Sequence, residues 1–194
     1  MTQVAREGDD GLSVDSESLK RLASLLGQRS EIDAEIAAIT GRPALPGHIG
    51  EWIAAEIFAI RLEDSAVAKA IDGRFTQGPL AGRTVNVKLY GKREGLLDIN
   101  EDPRLDYYLV LTGPIAVALS SRGATRPLVI QAAYLFDAHQ LLDEQRLRSV
   151  KLGVASSVTK AQWEAAEIFP EQANALLPIS DEQRTALSWF AGRG

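Results

Sequence analysis

Two runs rich in β-favouring apolar residues, LDYYLVLTG at 105–113 and PLVIQAAYLF at 127–136, limit what this chain can fold into. Neither alternates polar with apolar residues, so neither suits a strand with one wet face. Both suit strands buried on the two sides of a sheet. A sheet hidden on both faces needs helices to cover it, and the rest of the chain offers them. Further strands are expected at 67–75 and 83–90, joined by TQGPLAG, whose Gly and Pro residues read as a hairpin connection. The strand candidates are then 67–75, 83–90, 105–112 and 128–136.

The first helix is expected from Asp15 or Ser16 onward. Leu19, Leu22, Leu25, Leu26, Ile32, Ile36 and Ile39 recur at spacings of three, four and seven, and GRPALPG stops the helix near Gly41. Gly27 marks a weak point within it. This amphipathic helix either packs on its own domain or pairs with a second copy as a homodimer. Residues 1–14 are polar and aperiodic, and read as a disordered lead. A second helix is expected over 49–62, with Ile49, Trp52, Ile53, Ile57 and Phe58 as its buried stripe. Its two acids, Glu51 and Glu56, project about 140° apart at 100° per residue, so they cannot share one narrow site. PIAVALSSRG suggests a short helix crossing to the fourth strand, and DAHQLLDEQRLRS a helix capped by Asp137. KLGVASSV reads as extended or looped, and TKAQWEAAEIF as a helix opened by a Thr159–Gln162 capping box and closed by Pro170. A last helix begins at Ser180, where Gln183 repeats that spacing.

Composition removes several chemistries. The chain has 194 residues, 45% hydrophobic and 24% charged, the mixture of a folded single domain, here 45–194. Without cysteine there are no disulfides, thiolate metal sites or cysteine nucleophiles. Two histidines, His48 and His139, argue against a zinc site; His48 suits a capping or surface role, and His139 falls early in a polar helix. No signal peptide or membrane span is visible, so a cytoplasmic location is expected. A net charge of −5 argues against a protein that coats nucleic acid along its whole surface. A local basic patch is compatible with it: Arg83, Lys88, Lys92 and Arg93 occur with no acid among them, and Arg122 and Arg126 bracket a Gly-containing loop. Taken alone, such clusters are ordinary solvated faces.

The segments with chemical potential are AIDGRF at 70–75 and VNVKLYGK at 85–92. Period-two alternation sets Asn86 and Lys88 on one face of their strand, with Val87 on the other. Asp72 on the neighbouring strand reaches the same face. As a bland alternative, Asp72 before Gly73 is a hairpin turn residue and Lys88 marks an exposed sheet face. GEWIAAEIFAIRL, AIDGRF, VNVK and DYYLVL stand in an order that resembles the PD-(D/E)XK nuclease superfamily, over about residues 48–136, and the whole chain resembles an uncharacterised bacterial family of that type.

The resemblance implies an α/β fold with a restriction-endonuclease-like core: a central mixed sheet of about four strands flanked by helices, with an added N-terminal helix and C-terminal helices. It implies a Mg²⁺-dependent (or Mn²⁺-dependent) nuclease or DNA-processing hydrolase acting on DNA or RNA. Asp72 would be the principal metal ligand, assisted by the Val87 carbonyl and Asn86. Lys88 would orient the water or stabilise the transition state, and Glu51 would bind metal through water. Arg83, Lys92, Arg93 and Arg122 are the candidate nucleic-acid contacts. Asn86 departs from the superfamily pattern, which has an acid or sometimes glutamine there. The amide removes one negative charge, so metal affinity falls unless Asp98 or Asp106 compensates. The alternative is a nuclease fold that has lost cleavage and binds nucleic acid or a protein.

Overall fold

The computed structural model describes residues 15–63, 70–116 and 127–192. The lead expected at 1–14 and most of the short helix expected at 114–123 lie outside the described residues. The chain divides into two units, 1–44 and 45–194.

In the first unit, helix α1 spans Ser16–Thr40. Asp15 caps its start by accepting the Glu17 N–H at 3.1 Å, and Gly41 ends it at φ 68°, the left-handed conformation that glycine adopts without strain. Gly27 does not interrupt it.

The second unit is mixed α/β. Helix α2 (Pro46–Phe58) begins with a proline at N1 and leads into strand β1 (Ile60–Leu62). The helix expected to reach residue 62 therefore stops earlier: Ala59 turns left-handed at φ 52°, and Ile60–Leu62 pairs antiparallel with β2 (Gly73–Phe75). Strand β2 pairs antiparallel with β3 (Thr84–Tyr90) across a short 3₁₀ turn at Gly78–Leu80. Strand β4 (Leu96–Leu97) stands apart, and β5 (Tyr107–Thr112) runs parallel to β3. Strand β6 (Ala132–Asp137) is antiparallel to β5 and runs into α3 (Ala138–Leu147), where the Asp137 side chain caps Gln140 as expected. Strand β7 (Ser156–Ser157) pairs with β4. Helix α4 (Lys160–Ala166) then carries the Thr159–Gln162 capping box, but Glu167–Phe169, expected as its last turn, is strand β8 on the edge of β6. Helix α5 (Asp181–Ser188) has the Ser180–Gln183 box.

The main sheet thus has six strands among the described residues, ordered β1-β2-β3-β5-β6-β8, rather than about four. Both additions are three-residue tails of segments with helical spacing. Burial of Ile60 and Ile168 against the core outweighs their local preference. On one face, Ile53, Ala54 and Phe58 of α2 and Leu187 of α5 pack on Val85, Val87, Leu109, Leu111 and Leu135. On the other, Leu141 and Leu142 of α3 and Trp163 and Ala166 of α4 pack on Tyr108, Val110, Tyr134 and Phe136. Residues therefore alternate between two dry faces along β5 and β6, which is why those runs lack a polar period.

Among the described residues no helix is long and apolar enough to cross a membrane.

Helix α2 lies close to β3 because position 50 has no side chain: a Cβ built there would stand 2.6 Å from the Leu89 Cβ. In an ordinary helix interior Gly→Ala adds about 0.5–1 kcal/mol of stability. Here overpacking dominates, and Gly50→Ala is expected to lower the unfolding free energy by about 1–3 kcal/mol in urea denaturation.

Candidate functional site

Strand β2 is short, and its main-chain pairing to β3 is continued by a side chain. The Asp72 N–H donates to the Val85 carbonyl at 2.9 Å, and the Asp72 carbonyl accepts the Glu63 N–H at 2.9 Å, so its backbone is held from both neighbouring strands. The Val87 N–H then donates to Asp72 Oδ2 at 2.7 Å. The carboxylate stands in for a main-chain acceptor at the point where β2 gives way to residues 70 and 71. Gly73 is no turn residue: it lies within β2, where a Cβ would meet the Arg61 carbonyl oxygen at 2.6 Å. Asp72 is thus tethered just ahead of β2 and is not a hairpin residue.

The residues flanking Val87 lie on the side of the sheet away from α2. Val85 and Val87 enter the α2 side of the core, so Asn86 and Lys88 project to the opposite side, across from Tyr108 and Val110 of β5. Asn86 is 5% exposed, and its Nδ2 donates to the Ala70 carbonyl at 3.0 Å. A carbonyl only accepts, which settles the orientation of the amide and leaves Oδ1 turned away from Ala70. That oxygen is buried and, among the described residues, has no hydrogen-bond partner. Leaving such a group unsatisfied costs about 1–3 kcal/mol. Lys88 is half-buried one step along the same face.

The structure thus gathers Asp72, Asn86, Val87 and Lys88 at one place. Glu51 is half-buried on α2, which covers the opposite face of the sheet. His48 lies in the first turn of α2, and His139 is exposed at the start of α3. Among the described residues no group of three His, Asp or Glu side chains stands together to hold a metal.

The two acids that could replace the missing charge each have partners elsewhere in the fold. Asp98 accepts the Ala155 N–H at 2.8 Å, while its own N–H donates to the Tyr90 hydroxyl at 3.1 Å. Burial pushes the Tyr90 phenol well above its usual range, so it stays neutral. Asp106 serves the far end of β3, accepting from the Thr84 N–H at 2.8 Å, the Thr84 hydroxyl at 2.9 Å and Arg83 at 3.0 Å.

The basic residues do not form one patch. Arg83 and Arg93 flank β3, whose seven residues span about 20 Å at roughly 3.3 Å each. Arg83 pairs with Asp106. Arg93 donates to the Tyr134 hydroxyl at 3.2 Å and stacks over the Tyr134 and Trp163 rings at 5.5 and 5.7 Å. Lys92 is half-buried in the turn after β3. Arg122 and Arg126 lie outside the described residues. Ala70, the first residue of AIDGRF, has no role in the motif, yet its carbonyl orients Asn86. No side-chain type marks such a role.

No family model matches this sequence, and no curated protein matches it significantly.

Two outcomes follow from these contacts. Asp72→Ala strands the Val87 N–H and is expected to cost about 1–3 kcal/mol in urea denaturation, with Asp72→Asn, which keeps an acceptor, costing less. For Asp106, burial alone raises the carboxyl pKa, but the Thr84 and Arg83 hydrogen bonds outweigh it and hold the pKa below its ordinary value. A depressed folded pKa contributes stability that is present above the unfolded pKa and is lost as pH falls through the folded one. The stability gap between the native chain and Asp106→Asn is therefore expected to be widest near neutrality and to close in acid below the ordinary carboxylate range, as read by thermal melts across pH.

Proposed function

We propose that residues 45–194 form a nuclease-like domain of restriction-endonuclease type that processes phosphodiester bonds in DNA or RNA with Mg²⁺ or Mn²⁺. The observation that carries this reading is the buried Asn86 Oδ1, without a partner among the described residues, next in the chain to the Val87 amide that tethers the Asp72 carboxylate, with Lys88 on the same strand face as Asn86. An oxygen left unsatisfied at that cost is a ready ligand for a hard cation. The element order supports the same reading: an acid-bearing helix, an antiparallel β2–β3 pair carrying AIDGRF and VNVK, and a buried strand parallel to β3.

The residues fit a weakly held cation. Mg²⁺ is ordinarily bound through one or two carboxylates plus substrate phosphates, and here Asp72 gives one carboxylate, with Asn86 Oδ1 and the Val87 carbonyl as neutral oxygens. When bound, such an ion neutralises charge on the scissile phosphate and acidifies a water. The chain's own contribution is positional. The Val87 N–H holds the Asp72 carboxylate in one orientation, and the Ala70 carbonyl holds the Asn86 amide. Lys88 brings an ammonium able to hold a nucleophilic water or a phosphate oxygen. Glu51 enters on the resemblance alone, as an acid that holds water. Of the basic candidates, Lys92 is nearest along the chain to Lys88, whereas Arg83 and Arg93 are committed to internal partners.

The single carboxylate favours a second reading, a nuclease fold that binds nucleic acid or a protein partner without cleaving. The two separate in one assay, in which the protein is incubated with single- and double-stranded DNA and RNA in Mg²⁺, Mn²⁺ or EDTA. The first reading expects metal-dependent cleavage that falls about 100-fold or more in Lys88→Ala. Cleavage that persists in EDTA or in that variant contradicts it. Binding without cleavage identifies the inactive module. In parallel, Asn86→Asp restores the second negative charge and is expected to show a larger Mg²⁺-induced rise in melting temperature than the native chain.

A further inference from the structure

Helix α1 carries an apolar seam that its own unit leaves open. None of its residues is buried, and Leu22, Leu25, Ile32 and Ile39 are 49–65% exposed. Together with Arg29 and Ile36 they recur at intervals of three, four, three, four and three. This is the 3.5-residue period that keeps one stripe facing a partner helix in a left-handed coiled coil. At 25 residues the helix is about 37 Å long, enough for such a seam. A helix of this kind draws most of its stability from packing its apolar face.

The charges select the occupant and its direction. Residues 16–29 hold Glu17, Lys20, Arg21 and Arg29, a net +2, whereas residues 30–40 hold Glu31, Asp33 and Glu35, a net −3. A second copy laid parallel sets like against like, and puts Arg29 against its own twin inside the seam. A second copy laid antiparallel sets each basic half on an acidic half. Position 22 then faces 39, 25 faces 36, and Arg29 meets Ile32 with Asp33 beside it. The Arg29–Asp33 pairing already occurs within one helix at 3.4 Å, so the side chain has the required reach. A buried polar residue at a single seam position commonly sets register and orientation in this way.

We propose that α1 is an antiparallel dimerisation helix joining two copies of this chain through a self-complementary, two-fold interface. Sedimentation equilibrium of the full chain is expected to give a dimer. Leu25→Asp with Ile32→Asp is expected to give a monomer whose far-ultraviolet dichroism and melting temperature still report the folded 45–194 unit. The absence of native cysteine allows the direction to be read by cross-linking. Leu22→Cys and Ile39→Cys proteins, mixed equally and oxidised, are expected to form the mixed 22–39 disulfide several-fold over either like-with-like product. A monomeric native chain, an unchanged dimer in the double variant, or a predominance of like-with-like disulfides overturns the proposal.

Discussion

Strand β3 is pinned along both edges, by β2 running antiparallel and β5 running parallel, and the candidate site exists because one of those edges changes hands part-way. Where β2 yields, the Asp72 carboxylate continues as acceptor for the Val87 amide. That substitution fixes a negative charge at the Val87 amide, between residues 86 and 88 of β3. A main-chain carbonyl in the same place would complete the ladder and contribute nothing to chemistry. The two packed faces of the sheet leave β3 little freedom to move, since Val85 and Val87 are buried under α2 while Asn86 is buried on the other side. The position of the site therefore rests on backbone pairing and core packing of β3, with residues 70 and 72 ahead of β2 completing it.

Much of the architecture is local in origin and so is visible in the residues. The Asp15 and Asp137 caps and the Thr159–Gln162 and Ser180–Gln183 boxes each satisfy helix-end amides from within four residues, so spacing alone reveals them. Strands β5 and β6 declare themselves through unbroken apolar runs. Strands β1 and β8 do not, because three residues carry no period and their pairing to Phe75 and Ala133 is a property of the assembled sheet. The candidate site divides the same way. That Asn86 and Lys88 share a face is alternation; that Asp72 grips the Val87 amide, and that Ala70 turns the Asn86 amide, depends on a register between segments some fifteen residues apart. The basic run from 83 to 93 is contiguous in sequence but is spread along a strand, and Arg93 is drawn onto Tyr134 and Trp163 by contacts that no charge pattern reveals.

The same geometry bears on how much chemistry the site can support. Asp106 and Asp98, the acids named as substitutes for the charge missing at Asn86, accept hydrogen bonds from Thr84 and Ala155 respectively. A site with one carboxylate and a neutral amide oxygen binds a hard cation best when a substrate phosphate completes the shell. Under the proposed reading, metal and nucleic acid would reinforce each other, and the free protein would have little affinity for either alone.

The most direct test is to follow backbone amide resonances of the folded protein while Mn²⁺ is added in substoichiometric amounts. Paramagnetic broadening that begins at Asp72, Asn86, Val87 and Lys88, and that Mg²⁺ reverses by competition, is the result this account predicts. Broadening centred on other acids, such as Glu101 and Asp102, or none at those four residues even with a nucleic-acid strand present, would contradict it.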